Sequence, residues 1–397
     1  MRIGIYGGTF NPIHLGHMEA ARCAAERLRL DKLCMIPTGV PPHKRLEDAP
    51  SSRDRLEMAR LGAEAIGAPC EVEVLDLELR REGKSYTVDT LRELKRKLRG
   101  DRLFLLLGTD MFLSFQTWRE PEEIAGMCTL CAFSREEAGG NGLLESQKRY
   151  LEQAMGADVK IVRLPQIIDI SSTQLRGQLA CGEGRAFLAP AVYGYILREG
   201  LYGTGADLKD LPLEDLRCVA MSMLRHRRIA HVLGTEGTAA ALACRWREDE
   251  QAARRAALLH DCTKKLDREQ HMALCRQYGI ALDPEERQEE KLLHAITGAA
   301  VAEHMFGESE AVVSAIRWHT TGRAAMTTLE KIIYLADYIE PTRDFGGLTE
   351  LRALAFQDLD RAVLLGLKMA VHDLKKRGVA VHSNSVRARD YLKGKLT

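Results

Sequence analysis

The sequence lacks an excess of charge of either sign, and it lacks a long apolar run. Its 397 residues contain 57 basic and 56 acidic side chains, so no overall field gathers nucleic acid or an anionic membrane surface. The apolar run LFLLL at 103–107 is far shorter than the ~20 residues that cross a bilayer. The first residues enter a strand-like alternation without the apolar segment of a secretion signal. We therefore expect a soluble, cytoplasmic protein that binds neither nucleic acid nor membrane, in which any phosphate-binding site is local.

Proline is scarce in the second half of the chain. Nine of the twelve prolines precede residue 205 and three follow it. Because proline interrupts helices, the residues after 205 can be almost wholly helical. Ten cysteines are present, but most lie in apolar segments, and a chain of this size does not depend on disulfides. We expect them to be reduced core residues.

The chain is too long for one hydrophobic core, since cores stop growing at roughly 250–300 residues. Before residue 205, short β-rich runs alternate with helix-period segments, which predicts a parallel sheet wrapped by helices. Strands are expected to start near residues 2, 33, 71, 103, 129 and 160, and helices are expected over 15–30, 52–66, 87–98 and 144–155. After the glycine-containing segment 200–210, apolar residues recur with a helical period. The sequence predicts a Rossmann-like, doubly wound α/β domain over 1–204 and an all-α domain over 205–397.

The opening GGTFNPIHLGH places glycines at a strand end and two histidines at a helix start. Glycine permits close backbone approach, and a helix N-terminus presents unpaired N–H groups and a positive dipole end to an anion. His14 and His17 are three residues apart, so they share a helix face and can converge on one phosphate. Taken alone, they could equally be capping and packing residues. The segment predicts a phosphate cradle that is neither a P-loop nor a dinucleotide fingerprint.

This segment resembles the nucleotidyltransferase superfamily, whose H-x-G-H signature follows a glycine-rich loop on a Rossmann-like sheet. Further motifs resemble those of bacterial nicotinate-mononucleotide adenylyltransferases: PTGVPPHK at 37–44, KSYTVDTL at 84–91, LLLGTDMFLSFQTW at 105–118 and DISSTQLR at 169–176. The related pantetheine-phosphate adenylyltransferases and cytidylyltransferases lack the PPHK and SYTxDTL combination. One departure is Asn11, where the family often carries aspartate. The resemblance implies Mg²⁺-assisted transfer of AMP from ATP to nicotinate mononucleotide, giving deamido-NAD and pyrophosphate.

The same resemblance assigns roles to individual residues. The ATP phosphates would be held by Gly8, Thr9, Phe10, His14 and His17, and clamped at a second helix start by Ser172, Thr173 and Arg176. The nicotinate would lie near Tyr86 and Thr87, where backbone amides would read its carboxylate, and Trp118 could stack on its ring. The ribose hydroxyls would lie near Gly108 and Asp110, at a strand end. Lys44 and Arg135 are candidate phosphate contacts, and His14, His17, Lys44 and Arg176 are the expected catalytic groups. Plainer roles remain open, since ISST is also a helix N-cap signature, Trp118 could be a core residue and Lys44 a solvated charge.

Histidines and aspartates in apolar surroundings mark the second half of the chain. The pair His260–Asp261 lies inside the apolar helical run AALLHDCTKKL, where an isolated carboxylate is costly to bury. His231, His294, His319 and Asp337 occupy similar settings. Each by itself is better explained as a satisfied core or helix-end group. Together they indicate a metal centre.

The order of these residues resembles the HD-superfamily metal-dependent phosphohydrolases. The segment HTTGRAAMTTLEKIIYLADYIEPTR at 319–343 is similar to that of a bacterial subfamily that hydrolyses diadenosine tetraphosphate symmetrically. The resemblance implies one metal ion on His231, His260, Asp261 and Asp337, and a second on His294 and His319, with Asp261 bridging. Four imidazoles and two carboxylates favour transition ions over Mg²⁺, and the family implies iron.

Two such ions can activate water for in-line attack on phosphorus, and symmetric cleavage of diadenosine tetraphosphate would give two ADP. Lys264, as a catalytic residue, and Arg343 could neutralise the polyphosphate, although both could be exposed helix charges. The sequence thus predicts a bifunctional enzyme. It leaves open that the second domain acts on another nucleotide or senses a nucleotide without turnover, and it allows an oligomer.

Overall fold

The computed structural model describes residues 1–40, 50–135, 141–165, 168 and 170–397, without the side chains of Arg135 and Asn141. These residues form two compact units, Met1–Gly205 and Ala206–Thr397. The first unit combines a parallel sheet with helices, and the second is helical, so the expected fold class is confirmed. None of the helices in the described ranges has the length and apolar character needed to cross a bilayer.

Six parallel strands form the sheet of the first unit, in the order β3-β2-β1-β4-β5-β6. They are β1 (Arg2–Gly8), β2 (Lys32–Pro37), β3 (Glu71–Val74), β4 (Arg102–Leu107), β5 (Thr129–Arg135) and β6 (Val159–Leu164). In the middle of the sheet, Ile5 is aligned with Cys34 of β2 and Leu105 of β4. The strand order reverses between β1 and β4, and sheets of this type bind ligands in the crevice at the carboxyl ends of such strands. All six predicted strands are present.

Helices lie between the successive parallel strands, and two more α-helices of this unit follow β6. They are α1 (Leu15–Arg27), α2 (Ser52–Glu64), α3 (Thr87–Lys97), α4 (Thr109–Leu113), α5 (Pro121–Met127), α6 (Asn141–Met155), α7 (Ser172–Ala180) and α8 (Pro190–Arg198). Apolar side chains of the strands, such as Ile5 and Leu105, are buried in one cluster with Leu91 of α3 and Ile124 of α5. This core holds the carboxyl ends of β1 and β4 in fixed positions.

The second unit consists of helices and turns in its described residues. The helices are α9 (Leu213–Met223), α10 (His226–Trp246), α11 (Glu250–Leu259), α12 (Arg268–Gln277), α13 (Pro284–Gln288), α14 (Glu290–His304), α15 (Glu310–Trp318), α16 (Thr328–Ile339), α17 (Leu348–Gln357), α18 (Leu359–Lys376) and α19 (Ser383–Leu396). The expectation that His260 and Asp261 lie inside a helix is wrong, because α11 ends at Leu259 and residues 260–265 form a turn. The N–H groups of Cys262 and Lys264 bond to carbonyls three residues earlier, which tightens the chain at the helix end.

The cysteines follow the expected pattern with two exceptions. Seven of the ten are buried, and all ten are free thiols. Burial raises the pKa of the Cys128 thiol to about 12, which makes it unreactive. Cys70 is partly buried. Cys181 and Cys244 are exposed, so the expectation of a core position is wrong for these two.

Candidate functional sites

The loop between β1 and α1 brings the two predicted histidines together. His14 precedes the first helical residue and His17 lies in the first turn. The backbone N–H of His14 donates to Nδ1 of His17 at 3.3 Å, and the two ring centroids are 3.8 Å apart. Because Nδ1 accepts a hydrogen bond, a neutral His17 carries its proton on Nε2 and can donate it to an anion.

Both imidazoles are neutral at neutral pH. Burial lowers the pKa of His14 to about 4, and burial together with the neighbouring His14 holds the pKa of His17 well below its ordinary value. The Phe10 ring contributes to this burial, since it packs edge-on at 5.4 Å from the His17 ring. The pair therefore offers N–H donors to an anion, and a bound phosphate would favour protonation.

We expect acid to destabilise the first unit through these two histidines. Their pKa values are lower in the folded than in the unfolded chain, so the unfolded chain takes up protons first as the pH falls below about 6.5. Between about pH 6.5 and about 4, the free energy of unfolding should fall by up to about 1.4 kcal/mol per pH unit for each histidine. Urea unfolding across this range would show a smaller pH slope in the double variant His14→Gln, His17→Asn. An unchanged slope would contradict the prediction.

A cavity of about 690 Å³ opens at the carboxyl ends of β1, β2 and β4, within the size range of small-molecule sites. Seven predicted residues line it: Gly8, Thr9, His17, Tyr86, Thr87, Gly108 and Trp118. One part of the lining is the glycine and histidine loop, and another is aromatic. The half-buried Trp118 both packs on Phe115, at 5.5 Å between ring centroids, and faces the cavity.

Other predicted residues of this site lie differently. The side chain of Phe10 is 1% exposed, so a phosphate could meet only its backbone. A Cβ atom on Gly8 would lie 3.1 Å from the Phe10 ring, which explains the glycine. Asp110 is exposed in the first turn of α4, directly after β4. Lys44 and the side chain of Arg135 lie outside the described residues.

The start of α7 is tied to the β1–α1 loop. Its N-cap is Ser171, whose side chain accepts the N–H of Gln174, so the capping interpretation of the ISST segment is correct for this residue. Ser172 Oγ donates to the Pro12 carbonyl at 3.3 Å. Arg176 donates to the Asn11 carbonyl at 2.8 Å and to Thr173 Oγ1 at 3.2 Å. The structure thus brings Ser172, Thr173 and Arg176 beside the histidine loop.

Asn11 anchors the same loop from its other side. Its Oδ1 accepts a hydrogen bond from the Tyr202 hydroxyl at 2.7 Å. An aspartate oxygen would accept this bond equally well. The departure from the family pattern at this position therefore preserves the anchor.

Arg55 of α2 is a buried cation that the sequence reasoning missed. It is 2% exposed and donates to the carbonyls of Thr9 at 3.1 Å, Thr38 at 2.6 Å and Gly39 at 3.4 Å. It therefore joins the loops that follow β1 and β2, on both sides of the cavity. In the sequence, Arg55 lies in a charged helical segment and gives no local signal of burial.

Replacing Arg55 with methionine should destabilise the protein by about 2–3 kcal/mol, because buried carbonyls lose their donors. Arg55→Lys should recover only part of this loss, since an ammonium cannot match the spread of the guanidinium donors. Thermal unfolding of the full chain measures the effect. Arg53→Met, at an exposed position of the same helix, is the matched control, and equal effects of the two methionine variants would refute the anchoring role.

In the second unit, all six predicted metal ligands converge. They come from five segments: His231 on α10, His260 and Asp261 in the turn after α11, His294 on α14, His319 after α15 and Asp337 on α16. Five of them are 5% exposed or less, and the Asp337 side chain is 19% exposed. Polar residues that are isolated from one another in the sequence thus form one buried cluster in the fold.

Each of the four histidines has a hydrogen-bond acceptor at Nδ1. The acceptors are Glu340 Oε1 at 3.0 Å for His231, the Ala257 carbonyl at 2.6 Å for His260, the Lys291 carbonyl at 2.6 Å for His294 and the Ile316 carbonyl at 2.7 Å for His319. Neutral rings of His260, His294 and His319 therefore direct Nε2 lone pairs inward, and His231 does the same when its proton lies on Nδ1, towards Glu340. Burial lowers the pKa of His260, His294 and His319, which favours this neutral form.

The inward lone pairs face one another at short range. Nε2 of His231 lies 3.4 Å from Nε2 of His260, and Nε2 of His294 lies 3.2 Å from Nε2 of His319. With both protons on Nδ1, neither nitrogen of a pair can donate to the other, so the lone pairs repel. A cation between them would relieve the repulsion. The donor set therefore fits a metal ion at each histidine pair.

Asp261 is placed between the two histidine pairs. Its Oδ2 lies 3.6 Å from Nε2 of His260, and its Oδ1 lies 3.3 Å from Nε2 of His294. Asp337 Oδ1 lies 3.1 Å from Nε2 of His231, on the first pair's side. One carboxylate thus faces both pairs, as a bridging ligand would.

Three cations lie against these ligands. Arg228 contacts Asp261 Oδ2, Arg343 Nη2 lies 2.7 Å from Asp337 Oδ1, and Lys264 Nζ lies 2.8 Å from Nε2 of His294. Burial by itself raises the pKa of Asp261, but His260, Lys264 and other neighbours outweigh it and hold that pKa below its ordinary value. Arg228, in the basic run RHRR, was not identified from the sequence.

A further group of possible ligands, Asp283, Glu286 and His382, has a different character. His382 Nδ1 accepts the N–H of Asn384 at 3.1 Å, so the proton of the neutral ring lies on Nε2, the atom that faces the carboxylates. A protonated nitrogen is not a metal ligand. This group is better explained as a contact between α13 and the start of α19.

Two family models match the chain. A model described as cytidylyltransferase-like matches residues 5–178, and a model of the HD domain matches residues 228–342. The chain therefore combines a nucleotidyltransferase-type α/β domain with an HD domain.

Individual relatives make the first assignment more specific. Proteins called probable nicotinate-nucleotide adenylyltransferase are similar: that of Desulfatibacillum aliphaticivorans is 36% identical over 220 residues, and that of Dictyoglomus thermophilum is 38% identical over 204 residues. Each match covers 51% of this chain and 100% of the relative. Through its first half, the chain belongs to the nicotinate-nucleotide adenylyltransferase family.

A solved structure is similar to the second half. It is described as a predicted HD superfamily hydrolase involved in NAD metabolism from Clostridium acetobutylicum. It is 39% identical, with coverage of 47% of this chain and 98% of that chain and a TM-score of 0.45.

Proposed function

We propose that the chain is a bifunctional enzyme with an adenylyltransferase domain over 1–204 and a metal-dependent phosphohydrolase domain over 205–397. The first domain transfers AMP from ATP to nicotinate mononucleotide, giving deamido-NAD and pyrophosphate. The observation that carries this half is the paired His14 and His17 beside a cavity that also contains Tyr86 and Trp118. The relatives named above, each called a probable nicotinate-nucleotide adenylyltransferase, support it.

The residues suit a reaction that needs positioning and charge stabilisation without a covalent intermediate. The phosphate of the acceptor attacks the α-phosphorus of ATP in line, and pyrophosphate leaves. His17 Nε2–H and the backbone of Gly8 and Thr9 stabilise the charge that develops on the phosphates. Mg²⁺ bound with ATP would supply further neutralisation, and Arg176 and Lys44 are the proposed cations of the protein.

The test is pyrophosphate release by the full chain with ATP and each of three acceptors. Nicotinate mononucleotide should be the best acceptor, ahead of nicotinamide mononucleotide and phosphopantetheine. Faster turnover of phosphopantetheine would overturn the assignment, because that acceptor belongs to a different nucleotidyltransferase.

The second domain, in this proposal, hydrolyses diadenosine tetraphosphate symmetrically to two ADP. The observation that carries the hydrolase assignment is that the Nε2 atoms of all four histidines lie within 4.0 Å of an oxygen of Asp261. We assign His231, His260, Asp261 and Asp337 to one transition-metal ion and His294 and His319 to a second, with Asp261 shared and iron as the expected metal. Bound metal would supply an activated water at neutral pH.

The chain's own cations complete this site. Three cations contact atoms of the proposed metal ligands: Arg228 at Asp261, Lys264 at His294 and Arg343 at Asp337. When metal ions bind those atoms, these cations are placed to hold a polyphosphate. Glu340 orients His231 and itself accepts from the N–H and hydroxyl of Thr342.

A second candidate is a nucleotide-sensing domain without turnover. The ion pairs of Arg228 with Asp261 and of Arg343 with Asp337 favour it, since they satisfy the carboxylates without metal. Metal content and product analysis of the wild type and His260→Ala separate the two. Metal-dependent formation of ADP from diadenosine tetraphosphate supports the hydrolase. Metal-dependent products from a different nucleotide, with none from diadenosine tetraphosphate, would mean that the domain is a hydrolase of that other nucleotide. Bound nucleotide without metal-dependent products supports the sensor.

A further inference from the structure

Besides His17, two side chains that carry a formal charge line the described part of the cavity of the first unit. They are Glu78 and Arg119. Glu78 is buried, accepts a hydrogen bond from Thr90 Oγ1 at 2.8 Å, and has its pKa raised, chiefly by burial. Its negative charge is therefore disfavoured. The guanidinium of Arg119 is a cation, so Arg119 is the residue of the described lining that can attract an anionic group by charge.

Arg119 lies at the aromatic part of the cavity. It directly follows Trp118, and its guanidinium carbon lies 4.7 Å from the centroid of the Tyr86 ring. Its Nε is 3.3 Å from Glu120, and Nη1 is 4.0 Å from Asp89. These contacts orient the guanidinium over Tyr86, while the side chain remains 51% exposed and accessible to a ligand.

We propose that Arg119 is a specificity-determining residue that favours an acceptor with a ring carboxylate over the corresponding carboxamide. The proposal rests on the proposed transferase function, in which the acceptor ring lies beside Tyr86 and Trp118. A guanidinium attracts a carboxylate through charge and through its planar pair of donors, whereas a neutral carboxamide gains little from the charge. The motifs assign the ring carboxylate only to backbone amides near Tyr86 and Thr87, and Arg119 lies just beyond the last residue of the GTD…W segment.

A purely structural role would have a different signature. Arg119 could serve only to pair with Glu120 at the start of α5, and a loss of that pair would affect every acceptor equally. Arg92 of α3 is a matched control, because it pairs with the same carboxylates, Asp89 and Glu120. Arg92 is absent from the described lining of the cavity.

The test compares kcat/KM for nicotinate mononucleotide and nicotinamide mononucleotide in full-length wild type, Arg119→Gln, Arg119→Lys and Arg92→Gln. Arg119→Gln should lose about tenfold with the carboxylate acceptor and less than about twofold with the carboxamide, which is the scale of one partly exposed charged contact. Arg119→Lys should retain most of the selectivity, Arg92→Gln should keep it, and added salt should reduce the difference.

Two failures can be told apart. A wild type that uses neither acceptor overturns the proposed transferase function and this inference with it. A wild type that prefers nicotinate mononucleotide, together with an Arg119→Gln variant of unchanged selectivity, overturns the role of Arg119 alone.

Discussion

Replacing Asp261 with asparagine is expected to abolish hydrolysis by the second domain, with a loss of about a thousandfold or more. The two oxygens of Asp261 face different histidine pairs, so one substitution removes charge and a ligand atom from both proposed metal positions. Loss of an outer-shell partner alone typically costs about 10–100-fold, and a shared ligand should cost more. Metal content should fall from two ions per chain towards none. Adenylyl transfer by the same preparation should be unchanged.

Asp267→Asn is the control for this variant. Asp267 is exposed and caps α12 by accepting the N–H of Gln270, and asparagine caps helices about as well as aspartate. We expect its metal content and hydrolysis to match the wild type. If Asp261→Asn retained both metal and hydrolysis, Asp261 would not be a bridging ligand.

Replacing His17 with asparagine is expected to lower adenylyl transfer by about 10²–10³-fold, the usual cost of one preorganised donor to a developing oxyanion. Asparagine can still accept the His14 N–H through Oδ1, as Nδ1 does now, but it lacks the outward Nε2–H. Initial rates with ATP and nicotinate mononucleotide measure the effect.

Hydrolysis by the same chain provides an internal control, because the proposed metal ligands belong to the other unit. The thermal stability should also stay close to that of the wild type, since the capping interaction is preserved. Transfer rates within about threefold of the wild type would show that His17 does not act on the phosphates.

Periodicity explains why the fold could be predicted. The strand runs near Ile5 and Leu105 are apolar and short, as the strands of a sheet covered on both faces must be. The convergence of the candidate metal ligands could also be predicted, since His231 or Asp337 in an apolar helix needs a compensating partner. In both cases the physical requirement is local, so the sequence displays it.

The supporting residues could not be predicted in this way. Arg55 and Arg228 lie in charged segments, and their roles depend on which loops and helices the fold brings to them. Glu340 likewise looks like a helix-end carboxylate until His231, 109 residues away, donates to it. Long-range partners of this kind leave no periodic signal.

The most direct test of two independent sites uses one preparation of the full chain, stripped of transition metal with a chelator and returned to Mg²⁺. The account predicts that formation of deamido-NAD from ATP and nicotinate mononucleotide persists. Formation of ADP from diadenosine tetraphosphate should be lost and should return when iron or manganese is added. Loss of both activities together, or formation of ADP with Mg²⁺ alone, would contradict the account.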